Sequence, residues 1–136
     1  MPTFQWPIRV YYEDTDAGGI VYYANYLKFF ERARTEFLRS KGYEQDQLLT
    51  DAQILFAVAE VHIKYKKPAR FNQALIVQSA VMLMRKAAMT FVQSIHPEAD
   101  LEVTLCTAEV RIACLHAQTM RPARIPDALR EVLDAE

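Results

Sequence analysis

Val10-Tyr11-Tyr12-Glu13-Asp14-Thr15-Asp16-Ala17-Gly18-Gly19-Ile20-Val21-Tyr22-Tyr23-Ala24-Asn25-Tyr26, running on to Arg39, is the stretch on which the reading of this chain turns. A β-prone run, residues 8–13, ends in three acids, Glu13, Asp14 and Asp16. Gly18-Gly19 then turn the chain, using two of its three glycines. Ile20–Tyr23 lead into a helical pattern from about Ala24 to Lys41, with Tyr26, Phe29, Phe30, Ala33 and Phe37 at spacings of three and four. Asn25 is the expected N-cap and Gly42 the expected residue just past the helix end. A strand that turns through acids and glycines into a helix sets carboxylates beside unpaired backbone N–H groups and the positive end of the helix dipole. Such a place can hold a polarised carbonyl next to a base or nucleophile.

Working outward, the remainder reads mainly as strands. Residues 43–53 are polar and irregular, with a helical turn expected around Gln45–Leu49. Four strand-like runs follow: Phe56–Lys67, Ala74–Met84, Ala88–His96 and Glu102–Leu115. Arg85-Lys86 falls in a turn, and a short helical pattern, Asp127–Leu133, closes the chain. One strand, one long helix and four more strands with short connections predict an α+β layer with an antiparallel meander. One helix cannot cover both faces and both edges of a five-stranded sheet, so a dimer or tetramer is expected.

The 136 residues fit a single domain, residues 1–136, and 51% hydrophobic with 24% charged residues is a globular composition. A net charge of −1 points away from nucleic acid and from polybasic membrane binding. No run approaches the roughly 20 apolar residues of a membrane span. Met1–Pro7 lacks the charged and apolar regions of a signal peptide, so a cytoplasmic location is expected. Cys106 and Cys114 read as reduced, buried thiols, and no Cys/His cluster has zinc spacing.

Tyr12 through Tyr26 resembles the active-site signature of the hotdog-fold acyl-CoA thioesterases. The closest type is the 4-hydroxybenzoyl-CoA thioesterases, and among them the YbgC-type enzymes associated with the Tol-Pal system. Phe29-Phe30-Glu31-Arg32-Ala33-Arg34-Thr35-Glu36 and Trp6-Pro7-Ile8-Arg9-Val10 extend the match. The resemblance implies an α+β hotdog fold, a five-stranded antiparallel sheet wrapped around one long helix, with active sites between subunits. It also implies hydrolysis of acyl-CoA to a free acid and coenzyme A. Asp16 falls at the catalytic carboxylate, and the backbone N–H of Tyr23 at the oxyanion donor. The YbgC pattern carries His where this chain has Tyr23; a backbone donor survives that change, whereas an imidazole role does not.

Each residue also has a plainer reading. The acids can solvate a turn, with Asp14 structural; Gly18 and Gly19 can serve the turn alone or let substrate approach the main chain. Glu31 is the rival carboxylate, and pairing with Arg34 or Thr35 on its own helix is its bland role. Arg85 and Lys86 are the first choice for the phosphates of coenzyme A, with Lys66, Lys67 and Arg70 as alternates. His62, His96 and His116 are expected on the surface or in packing. A metal or redox cofactor is not expected, and Mg²⁺ on Asp14 and Asp16 lacks a phosphate loop to go with it. The competing functional class is a non-catalytic envelope adaptor that engages acyl carrier protein.

Overall fold

A stripe of large apolar side chains along a lone helix is stable only if another layer covers it. In the computed structural model, which describes residues 3–134, the sheet supplies that layer. Helix α1, Asn25–Ser40, buries Tyr26, Phe29, Phe30, Ala33 and Phe37, the stripe read from the spacing, with Leu38 beside it, while Leu27 is exposed. Phe29 and Phe30 are fully enclosed, each contributing about 1.5–3 kcal/mol of burial. The helix ends at Gly42 (φ +88°), where the N–H groups of Gly42 and Tyr43 bond back to the Arg39 and Leu38 carbonyls, a Schellman closure. Its start differs from expectation: Ala24 is the N-cap, and Asn25, already helical, donates its side-chain amide to the Asp14 carbonyl at 2.9 Å.

Five antiparallel strands form one sheet: β1 (Phe4–Arg9), β2 (Ile54–Tyr65), β3 (Ala74–Met84), β4 (Ala88–Pro97) and β5 (Cys106–His116), in the order β1-β3-β4-β5-β2. The first strand lies earlier than residues 8–13, because Tyr12–Asp14 folds into a 3-10 turn. Pro7 is accommodated in β1 because it is an edge strand. The inward faces follow the alternation: Cys106, Ala108, Val110, Ile112 and Cys114 in β5, and Met89, Phe91, Gln93 and Ile95 in β4. Phe37 packs edge-on against Phe91 at 5.9 Å.

The meander holds for β3-β4-β5, but β2 does not join it beside β3. It pairs with β5 at the far edge, with a bulge between Val58 and Glu60. Residues 66–73 therefore cross three strand spacings, about 14 Å, at one end of the sheet. That crossing segment is hydrogen-bonded to the chain on both sides. Lys66 and Lys67 N–H reach the Leu105 carbonyl, and Ala69 N–H meets the Tyr26 hydroxyl at 3.0 Å. A short helical turn, α2 (Gln45–Gln47), widens into a π turn at Leu48–Ala52. Helix α3, Asp127–Asp134, packs Leu129 and Leu133 into the core.

Candidate active site

The acid–glycine turn is built by its own carboxylates. Asp14 is buried, and its Oδ2 accepts the Tyr11 N–H at 2.8 Å, closing the 3-10 turn. Its carbonyl accepts the Tyr22 N–H at 2.9 Å as well as the Asn25 amide, so Asp14 ties the turn to the helix start. Asp16 faces solvent instead. Its Oδ1 accepts the Gly18 N–H at 2.8 Å, and its N–H donates to Ile20 at 2.9 Å across a narrow bridge of Thr15 with Val21. A Cβ on Gly18 would lie 3.2 Å from that same Oδ1, and Gly19 sits at φ +78°. A side chain at Gly18 would crowd the folded-back carboxylate, and one at Gly19 would have to adopt a left-handed backbone.

Just beyond, the chain enters α1 with donors to spare. Tyr22 N–H is taken by Asp14 and Asn25 N–H by the Tyr22 carbonyl at 2.8 Å. The N–H groups of Tyr23 and Ala24 meet no acceptor among the described residues. They are the unpaired donors of a helix start, at the positive end of its dipole. The Tyr23 carbonyl accepts the Tyr65 hydroxyl at 3.1 Å, from the last residue of β2. Tyr23, Tyr26, Tyr65, Ile20 and Val21 wall a cleft of ≈ 320 Å³ whose rim carries Lys66 and Lys67. Burial is the main influence raising both the Tyr26 and Tyr65 phenols, which keeps them protonated at neutral pH.

The predicted residues divide between two ends of the molecule. Asp16, Gly18, Gly19 and Tyr23 share the turn and helix start. Arg70 pairs with Ile20 across an isolated bridge, so Lys66, Lys67 and Arg70 all border the same region. Arg85 and Lys86 do not. They follow Met84 at the far end of β3, about 33 Å along the strand from Ala74, which pairs with Arg9 at the mouth of the turn. The Lys86 carbonyl accepts the Ile125 N–H at 2.8 Å, tying the loop ahead of α3 to this turn. Glu31 is exposed at a separate cavity further down α1, and makes no ion pair within 4.0 Å of Arg34.

Among the histidines, His62 is at the surface beside Glu60 at 2.6 Å, and His116 is exposed at the end of β5. His96 is buried, with its ring nitrogens at Ser94 Oγ and the Val103 carbonyl, a packing role. Cys106 and Cys114 are free and buried. Among the described residues no group of three or more His, Cys, Asp or Glu could hold a metal ion. Asp14 and Asp16 each spend an oxygen on a backbone N–H of the turn.

Two residues of this region were not singled out from sequence: Tyr65, 42 positions from the carbonyl it holds, and Tyr26, whose hydroxyl positions the crossing segment. In sequence both count as members of apolar stripes. Only an unspent phenol at the end of a buried face hints at more.

Residues 10–133 match the model of a family described as the thioesterase-like superfamily. The acyl-CoA thioester hydrolase YbgC of Escherichia coli O6:H1 is 41% identical over 127 residues, 93% of this chain and 92% of that protein. The acyl-CoA thioesterase YbgC of Haemophilus influenzae is 40% identical, over 93% and 91%. The structure of Slr0204, a 1,4-dihydroxy-2-naphthoyl-CoA thioesterase from Synechocystis, superposes with a TM-score of 0.90 over 98% of this chain and 96% of its own. At 19% identity that last likeness is one of fold.

Proposed function

This chain belongs to the thioesterase-like superfamily, and on that premise we propose that it hydrolyses acyl-CoA to a free carboxylic acid and coenzyme A at the turn preceding α1. The carrying observation is a solvent-facing carboxylate on Asp16 in the turn that leads into α1, where the N–H groups of Tyr23 and Ala24 are unpaired. Asp16 takes a proton from water as the water oxygen adds to the thioester carbon. Alternatively its own oxygen adds, and water then opens the acyl anhydride. On either route the carbon–sulfur bond breaks, the sulfur leaves as thiolate and takes up a proton. Negative charge growing on the carbonyl oxygen is met by the Tyr23 N–H, with Ala24 beside it. The reaction as written needs no metal or redox cofactor.

The charged phosphates of coenzyme A find Lys66, Lys67 and Arg70 in the same chain; Arg85 and Lys86 can serve only from a second subunit. Strand β2 pairs on one side alone and leaves Val58 and Tyr65 exposed, which supports a homodimer or a tetramer of this cytoplasmic enzyme with its clefts at subunit boundaries. The test is Asp16→Asn. Because the amide oxygen can still accept the Gly18 N–H, the turn should survive while thiol release falls about 10²–10⁴-fold. Full activity in that variant, with Glu31→Gln inactive, moves the chemistry to α1. Tight binding of acyl carrier protein with no hydrolysis of any acyl thioester gives the role to a Tol-Pal-associated adaptor instead.

A further inference from the structure

A second cavity, ≈ 270 Å³, lies further along the seam between α1 and β2. Leu38, Phe56, Met89 and Ile112 give it apolar walls, and Arg34 is set into them. Arg34 is only 8% exposed, yet it makes a single hydrogen bond, from Nη1 to Gln93 Oε1 at 2.9 Å. The Gln93 amide nitrogen is already committed to the Phe30 carbonyl at 3.0 Å and Ser79 Oγ at 2.9 Å. No carboxylate comes within 4.0 Å of the guanidinium among the described residues. Glu31, one turn earlier, stands at the exposed rim.

A guanidinium has five N–H donors, and a buried charge is ordinarily paired. Among the described residues no fully enclosed side-chain nitrogen or oxygen lacks a partner, so the unspent Arg34 nitrogens are those that retain open space. A clamp on Gln93 alone would need one neutral donor. The remaining charge, aimed from an apolar wall, suits an anion delivered on an apolar stem. Helix α1 runs opposite to β2, its start against Tyr65 and its second half against Phe56. From Tyr23 to Arg34 the helix advances about 16 Å, a distance an acyl chain can span.

We propose that this cavity takes the far end of the acyl group and that Arg34 binds a carboxylate there, so that acyl-CoAs ending in a second carboxylate are preferred substrates. This rests on the thioesterase reading. Its test compares acyl-CoAs of equal length that end in methyl or in carboxylate, over a ladder of lengths. At the matching length kcat/KM for the carboxylate-ended member should exceed its methyl-ended twin by about ten- to a hundredfold, the worth of one hydrogen bond to a charged group. Arg34→Gln should abolish that preference, chiefly through KM, and leave the methyl-ended rate in place. Equal wild-type rates at every length overturn the proposal, as does a variant that loses both substrates alike.

Calorimetry on the wild-type protein needs no variant: suberate should bind and 1-octanol, which carries no carboxylate, should not, and absence of suberate binding overturns the site. Hydrolysis without preference removes this site and leaves the thioesterase reading standing. Suberate binding without any hydrolysis does the reverse.

Discussion

Tyr65→Phe removes one oxygen atom from the cleft and nothing else. That oxygen donates to the Tyr23 carbonyl at 3.1 Å. The Tyr23 carbonyl and the Ala24 N–H belong to one planar peptide unit, so holding the first orients the second. Ala24 N–H is one of the unpaired donors at the start of α1. Tyr65 is half exposed, which places the bond near the low end of the usual 0.5–1.5 kcal/mol, a melting shift of about 2–4 °C. Its effect on rate should be larger. Deleting an oxyanion donor outright costs about 10²–10³ in kcat, and loosening one is expected to cost roughly tenfold, about 1.4 kcal/mol. The ring and its contact with Tyr26 remain, so KM should change little. Steady-state thiol release and a thermal melt on the same preparation separate the two quantities. An unchanged kcat, or a KM increase that accounts for the whole loss, refutes the orientation argument and leaves Tyr65 as a wall of the cleft.

Replacing Lys66 and Lys67 together by Ala should raise KM for acyl-CoA and flatten its salt dependence, while an acyl-pantetheine thioester that lacks the remote phosphates is hydrolysed as before. Arg85 and Lys86 replaced together should do the same only in an oligomer, since one chain holds them at the other end of its sheet; loss of both substrates alike would make either pair structural. Asp14→Ala leaves the Tyr11 N–H without its acceptor and should cost roughly 1–3 kcal/mol in urea unfolding, whereas Asp16→Ala, at an exposed position, should cost less. Burial pushes the Cys106 thiol up to about 12 and Cys114 to about 11. Both are acids raised above their ordinary value near 9.0, so their contribution to stability is intact below that pH and is lost as pH climbs toward the folded values. Neither thiol should react with a thiol reagent in the native protein at pH 8, and both should react in denaturant.

The helix and the inward faces of the strands were legible because their information is local. A three-and-four spacing from Tyr26 to Leu38, or an alternation from Cys106 to Cys114, states which side must leave water, whatever it meets there. The turn from Glu13 to Gly19 was legible for the same reason: its bonds join residues two to four apart, and glycine suits the tight and left-handed positions at its end. The partner of β2 was not legible, since pairing with β5 or with β3 buries the same alternating face. What fixes it is the run 66–73, whose backbone bonds to Leu105 at one end and to Gly19 and Val10 at the other as it crosses the sheet end by the start of α1. That crossing brings Tyr65, Lys66 and Lys67 to the helix start and leaves Arg85 and Lys86 at the opposite end of β3. Arg34 reads in sequence as a surface partner for Glu31. The depth of the sheet beneath α1, not the helix itself, turns it into a buried charge facing a cavity.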